Sequence, residues 1–281
     1  MMRVDAHHHV WTMARGDYHW MSPELPIARD YGLDDLRPLL GDITATVLVQ
    51  AADSEAETAF MLEVARGSAG LVQGVVGWTD LASPGAPARI AELAIPERAG
   101  DPLLKGLRPM LQDIEDTGWI LLPAVQPALA AMARHGLRFD ALLKPRHLPL
   151  IGELARRHPD LAVVIDHAAK PDIANGSFRP WAGHMARLAR DTSWCCKLSG
   201  LVTEARADWQ VDDLRPYVDH LLATFGPSRL MWGSDWPVVT LASNYRRWRE
   251  AAIALLPPDT HDAVFGATAA RFYGLDTRKL R

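Results

Sequence analysis

Residues 4–11 read VDAHHHVW, so three consecutive histidines lie inside an apolar run near the start of the chain. If this run is a β-strand, alternation places His7 and His9 on one face and His8 on the other. Two imidazoles side by side suit a metal ion, or a carbonyl group that must be polarised. The alternative is a strand with incidental polar residues, and the octapeptide alone does not separate the two.

The composition is that of an ordinary globular protein. The chain has 281 residues, of which 48% are hydrophobic and 23% are charged, enough for one large α/β domain or two small ones. A formal net charge of -4 and a pI near 6.2 argue against a nucleic-acid or anionic-membrane partner. Apolar runs stay well short of the roughly 18 residues of a membrane span, and a signal-peptide layout is absent. The adjacent Cys195 and Cys196 are expected to be reduced thiols, which predicts a cytoplasmic protein. The sequence leaves open whether it is a monomer or a homo-oligomer.

Eight short apolar runs recur along the chain, with helical stretches between them. They span residues 3–10, 44–51, 71–79, 104–111, 138–143, 161–167, 194–199 and 229–234. The runs are mostly continuous rather than alternating in polarity, which is typical of parallel strands covered by helices. Eight such strands predict a (β/α)8 TIM barrel that forms a single domain over residues 1–281.

Helices are predicted over residues 123–135, 148–158, 214–225, 244–256 and 260–273, and a further helix begins with a capping box at Ser54 and Glu57. Three long loops, residues 11–31, 112–122 and 170–180, follow strands 1, 4 and 6. They leave the carboxyl ends of strands, where the active sites of such barrels lie.

Polar and aromatic side chains recur at those strand ends, and the candidates are His7, His9, Trp11, Arg108, Lys144, His167, Lys197, Asp235 and Trp236. Closure of the barrel would bring Asp235 beside His7 and His9, with His167 across the mouth. Three histidines and an aspartate form a hydrolytic centre, because water must be both positioned and deprotonated.

Each candidate also has a structural interpretation. His167 follows Asp166, and such pairs cap loops, while Asp235 would suit a turn before Pro237. A salt bridge within the barrel would explain Lys197 as well as substrate binding does. Cys195 and Cys196 are expected to pack on opposite faces of their strand.

Seven segments in order resemble the amidohydrolase superfamily, specifically the TIM-barrel sugar lactonases of its amidohydrolase 2 branch. They are DAHHHVW, KGLRPMLQD, FDALLKPRHLP, IDHAAKP, CKLSGLVTEA, WGSDWPV and ARFYGL, spread over nearly the whole chain. The resemblance is closest to L-fuconolactone and L-rhamnonolactone hydrolases. It implies His7 and His9 as the strand-1 pair, His167 as the strand-6 histidine and Asp235 as the strand-8 acid.

Two departures from the family pattern limit what the resemblance implies. Strand 5 ends in Lys144 without the histidine of two-metal members, so a two-metal centre is not expected. The histidine that often follows the strand-4 arginine is replaced by Pro109, and the asparagine often found near the terminal helix is replaced by Thr268. Arg108 itself is retained.

The resemblance and the residues together predict hydrolysis of a sugar-acid lactone, with Asp235 as general base and His167 as a second catalytic residue. His7, His9, His167 and Asp235 are expected to hold one Zn²⁺ or another divalent cation, or the histidines polarise the carbonyl directly without a metal. Arg108, Trp11, Trp236, Lys197 and Lys144 are the predicted substrate-binding residues. The alternatives are a metal-dependent decarboxylase, a pyrone or muconolactone dicarboxylate lactonase, and a barrel that only binds sugars or metal.

Overall fold

A ring of eight parallel strands forms the centre of the computed structural model, which describes residues 2–96 and 102–276. The strands are β1 (Val4–His8), β2 (Ala45–Val49), β3 (Val72–Gly77), β4 (Leu104–Leu107), β5 (Arg138–Ala141), β6 (Val163–Ile165), β7 (Cys195–Leu198) and β8 (Leu230–Trp232). Each pairs in parallel with the next along the chain. The predicted TIM barrel is confirmed, with every strand inside its predicted run.

The barrel closes just beyond the ends of β1 and β8. The His9 amide donates to the Trp236 carbonyl over 2.7 Å, and the Asp235 amide donates to the His7 carbonyl over 2.8 Å. These bonds fix the two loops that carry the predicted site residues side by side.

Nine α-helices lie in the described part of the chain. They are α1 (Leu33–Leu36), α2 (Glu55–Gly67), α3 (Ala86–Leu93), α4 (Gln126–Arg134), α5 (Leu148–Arg157), α6 (Phe178–Asp191), α7 (Val211–Phe225), α8 (Tyr245–Leu255) and α9 (Thr268–Tyr273). Sequence reasoning missed α1, α3 and α6. Trp181, Met185 and Leu188 form the buried face of α6, and Pro180 is tolerated because it lies in the first turn. The predicted loop 170–180 is therefore shorter than expected.

The predicted last helix, residues 260–273, is divided in the structure. A π-helical turn spans Ala263–Ala267 before α9 begins. Gly266 lies against the first strand so closely that an added Cβ would come within 2.1 Å of the Met2 carbonyl oxygen. Only glycine fits this contact, which joins the end of the chain to the bottom of the barrel.

The capping box of α2 is half correct. Ser54 Oγ accepts from the Glu57 amide over 3.3 Å, as predicted. The Glu57 carboxylate turns away from Ser54 and accepts from the amides of Ala51 and Ala52 instead. Burial raises the pKa of Glu57 to about 7. This carboxylate therefore anchors the loop that follows β2 rather than the helix start.

Two apolar layers surround the strands. The inner layer fills the lower barrel with side chains such as Val47, Val76 and Cys195, and the outer layer packs the helices on the sheet. Cys196 belongs to the outer layer, so the adjacent thiols occupy opposite faces as predicted, and both are free. No helix of residues 2–96 and 102–276 combines the length and apolarity needed to cross a bilayer. The cytoplasmic location and the oligomeric state stay predictions.

Candidate active site

The structure brings His7, His9, His167 and Asp235 together at the carboxyl ends of β1, β6 and β8. Asp235 Oδ1 lies 3.2 Å from His9 Nε2, 3.7 Å from His7 Nε2 and 3.9 Å from His167 Nε2. The four side chains are almost completely buried. His8 points to the other face of β1, where its Nε2 lies 2.9 Å from Thr46 Oγ1. Alternation therefore separates the three histidines as predicted.

Two of these residues have backbones in the left-handed region. Asp235 has a φ of 57°, and His167 begins a run of four positive-φ residues that ends at Lys170. Such backbone conformations are unfavourable for residues other than glycine, and they are concentrated at functional sites. Gly200, itself at φ +64°, leaves room for His167, because an added Cβ would come within 2.6 Å of its Nδ1.

Hydrogen bonds behind the site orient two of the imidazoles. His9 Nδ1 lies 2.8 Å from the Val49 carbonyl oxygen and must donate to it, because a carbonyl can only accept. His167 Nδ1 lies 2.9 Å from Ser199 Oγ. In its neutral form the His9 ring therefore presents a lone pair at Nε2 towards Asp235. Two acceptor atoms at 3.2 Å need a proton or a metal ion between them.

Burial sets the protonation of the site. It lowers the pKa of His167 to about 4 and holds the pKa of His7 well below its usual range, with the nearby Lys197 adding to the effect on His7. Burial would raise the pKa of Asp235, but His167 and the other two neighbouring imidazoles outweigh it and hold that pKa below its usual range. At neutral pH His7 and His167 are therefore neutral, whereas Asp235 is ionised.

Arg108 extends from the end of β4 into the same region. Its Nη1 donates to Asp166 Oδ2 over 3.3 Å, and its Nη2 donates to the Gln50 carbonyl. The Nε atom is buried and has no protein partner among the described residues. One N–H of a buried guanidinium thus remains for a substrate oxygen.

Lys197 lies beneath the site rather than in it. Its ammonium is fully buried, 2.6 Å from Asp140 Oδ2, 3.0 Å from Asp166 Oδ1 and 3.1 Å from His7 Nδ1. The Tyr273 hydroxyl donates to the same Asp140 oxygen over 2.7 Å. The structure has the salt bridge within the barrel that was the alternative for Lys197, and the substrate contact of this lysine stays a prediction.

A cavity of about 240 Å³ opens above the four residues. Its lining includes His9, Arg108, His167 and Asp235, together with Trp20, Ala51, Met110, Gln112, Leu142, Lys170 and Val238. Trp20 is 41% exposed, and its Nε1 donates to the Ala51 carbonyl over 2.7 Å. The sequence analysis did not single out Trp20 or Lys170, although both lie in loops that were predicted to cover the mouth of the barrel.

The two tryptophans predicted to contact substrate are buried behind the cavity. Trp11 is fully buried and donates to the Arg29 carbonyl over 2.7 Å. Trp236 is 2% exposed and packs edge-on against Tyr31. Neither ring lines the cavity, because Trp11 lies in the core of the first loop and Trp236 packs against that loop, so their substrate contacts stay predictions. Lys144 is half-buried and does not line the cavity, so its substrate contact stays a prediction.

Comparison with known proteins agrees with this geometry. Residues 4–275 match the family model described as amidohydrolase. The chain belongs to the amidohydrolase family. It is 45% identical to an L-fucono-1,5-lactonase of Burkholderia ambifaria, over 98% of this chain and 96% of that protein. An L-fucono-1,5-lactonase of Burkholderia multivorans is 36% identical over the same shares.

Among solved structures, an amidohydrolase from Burkholderia multivorans crystallised with bound zinc superposes with a TM-score of 0.89. It is 35% identical, and the alignment covers 98% of this chain and all of that one. The fold and the family predicted from the seven sequence segments are confirmed.

The donor set of this amidohydrolase fits a divalent cation. Ligand atoms of His7, His9 and Asp235 lie within 4.8 Å of one another, as do those of His7, Asp166 and His167. Imidazole nitrogens with a carboxylate oxygen suit zinc. A cation would also bridge the two acceptor atoms that face each other, His9 Nε2 and Asp235 Oδ1. Both groups of described residues include His7.

Proposed function

We propose that the chain hydrolyses a sugar-acid lactone, L-fucono-1,5-lactone or a related aldonolactone, to the sugar acid. The observation that carries this proposal is the ionised Asp235 carboxylate, buried among three imidazoles at the floor of a small cavity. The two L-fucono-1,5-lactonases that resemble the chain over nearly its whole length support the substrate class.

Asp235 is the general base of the proposed reaction. It takes a proton from water while the water oxygen bonds to the lactone carbonyl carbon. The tetrahedral intermediate then collapses as the bond between that carbon and the ring oxygen breaks. Asp235 returns its proton to the departing ring oxygen, so one water is consumed and a hydroxy acid is formed.

The negative charge that develops on the carbonyl oxygen needs hydrogen-bond donors. The unpartnered Nε–H of Arg108 and an imidazole N–H facing the cavity are the donors available. A divalent cation held by the three histidines and Asp235 would, when bound, polarise the carbonyl and make the attacking water more acidic. The indole of Trp20 offers an apolar face to the C–H groups of a sugar ring at the mouth.

A panel of sugar lactones tests the proposal, with acid release followed by a pH indicator before and after chelation and with metal content measured. We expect catalysed hydrolysis of at least one 1,5-aldonolactone, with the spontaneous rate subtracted. The panel includes a pyrone dicarboxylate and an aromatic carboxylic acid, for which CO₂ release is measured. Release of CO₂ without lactone turnover would replace the proposal by a decarboxylase. If folded, metal-loaded protein were inactive on the whole panel, the remaining interpretation would be a barrel that binds sugars or metal without catalysis.

A further inference from the structure

A buried cluster of charges lies directly under His7. It consists of Lys197 from β7, Asp140 from β5, Asp166 after β6 and the hydroxyl of Tyr273 from α9. Lys197, Asp140 and Asp166 are all fully buried. Ion pairs are expensive to bury, and replacing them with apolar residues is often neutral or stabilising. Stability alone therefore does not explain this cluster.

The contact between Lys197 and His7 has only one chemical direction. An ammonium group carries three N–H donors and no lone pair, so His7 Nδ1, 3.1 Å away, must accept. The competing acceptor for an Nδ1–H is Asp166 Oδ1, which lies 3.6 Å from His7 Nδ1, beyond hydrogen-bond distance. A neutral imidazole that accepts at Nδ1 carries its proton on Nε2.

The neighbouring ring is fixed in the opposite tautomer. His9 donates from Nδ1 to the Val49 carbonyl and presents a lone pair at Nε2. The two Nε2 atoms lie 3.3 Å apart, so an N–H on His7 finds an acceptor on His9. A proton on His7 Nε2 and a bare Nε2 on His9 satisfy both rings.

We propose that Lys197 is a positioning residue that holds His7 in the Nε2–H tautomer, with that donor directed at His9 Nε2. A cation bound by His7 at Nε2 would compete with this proton, so Lys197 weakens the hold of His7 on a cation. The tautomer is a property of the protein by itself and does not rest on the proposed lactone hydrolysis.

Nitrogen-15 NMR of the metal-free protein tests the tautomer, because long-range ring correlations distinguish a protonated from an unprotonated nitrogen. The resonances of His7 are assigned by their loss in His7→Gln. We expect protonated Nε2 and bare Nδ1 for His7, and the reverse for His9. A proton on His7 Nδ1 in the wild-type protein would overturn the proposal, whatever the variants do.

Two variants test whether Lys197 determines the tautomer of His7. Lys197→Met with Asp140→Asn removes one positive and one negative group together, and leaves Asp166 as the acceptor nearest His7 Nδ1. We expect His7 to move its proton to Nδ1 in this double variant. Tyr273→Phe is the matched control, because it removes a hydrogen bond to the same Asp140 oxygen without touching His7. A double variant that folds and keeps the wild-type tautomer would refute the role of Lys197.

Zinc affinity gives a second readout that needs no substrate. Partners behind a metal-binding histidine alter affinity by about 10- to 100-fold, so we expect the double variant to bind zinc at least tenfold more tightly in calorimetry. Tyr273→Phe should stay within about threefold of the wild type. Unchanged zinc affinity in the double variant would contradict the proposal. Correct tautomers in a protein that hydrolyses no lactone would refute the proposed function and leave this inference intact.

Discussion

Asp235→Asn is the most direct test of the general base. Asparagine has the same shape as aspartate, and it tolerates the left-handed backbone that Asp235 adopts at φ 57°. The substitution therefore removes the basic oxygen while keeping the turn after β8. It also weakens the contact of Asp235 Oδ1 with His9 Nε2 at 3.2 Å.

The expected loss of rate follows from the role of that oxygen. General base catalysis contributes about 10²- to 10⁴-fold, which corresponds to roughly 3–5 kcal/mol in activation free energy. Loss of one buried polar contact costs about 1–3 kcal/mol of folding free energy. We therefore expect kcat to fall at least a hundredfold while the variant stays folded at room temperature.

The assay is lactone hydrolysis at neutral pH with the spontaneous rate subtracted, together with a denaturant unfolding curve. His8→Gln is the matched control, because His8 is buried on the opposite face of the same strand and bonds Thr46. It should lose stability but keep its rate within about threefold. An Asp235→Asn variant with kcat near that of the wild type would refute the base assignment.

Three further predictions concern residues around the site. Gly200→Ala forces a Cβ against His167 Nδ1 at a positive φ, so we expect kcat/KM to fall at least tenfold and stability to fall by about 1–3 kcal/mol in thermal unfolding. Glu57, with its pKa raised by burial to about 7 against about 4.5 unfolded, favours the folded state in its protonated form. Its contribution to the free energy of unfolding is therefore fully present below about pH 4.5 and is lost as the pH rises through 7. The total loss is about 3 kcal/mol. Glu57→Gln should remove this pH dependence in denaturant titrations from pH 5 to 8. Trp20→Ala removes an exposed ring at the cavity mouth, so we expect KM to rise about 3- to 10-fold with kcat unchanged in steady-state kinetics.

Each of these has its own control. Gly176 also has a positive φ, of +67°, but an added Cβ there meets nothing within 4 Å. Gly176→Ala should show the backbone strain without the loss of activity, and equal losses in both alanine variants would contradict the steric argument. Parallel pH–stability curves for the wild type and Glu57→Gln would show that Glu57 titrates normally. A fall in kcat rather than a rise in KM for Trp20→Ala would assign the ring to the chemical step.

The sequence alone determined the barrel and the four residues at its mouth. Continuous apolar runs predict buried parallel strands, and all eight runs contain a strand in the structure. The prediction succeeds because this pattern depends on only a few neighbouring residues. Alternation placed His7 and His9 on one face, and the carboxyl ends of β6 and β8 placed His167 and Asp235 at the same mouth. These inferences need only the direction and the end of each strand.

The tertiary structure decided how deep each side chain lies and which loop residues cover the mouth. Lys197, Trp11 and Trp236 follow the same local patterns as true site residues, yet they are buried below or behind the cavity. Trp20 at the mouth is held by a hydrogen bond from its indole to the Ala51 carbonyl, 31 residues away in sequence. Lys197 meets His7 across 190 residues, a separation over which periodicity carries no information. Depth and loop placement follow from such distant contacts, which exist only once the barrel has closed.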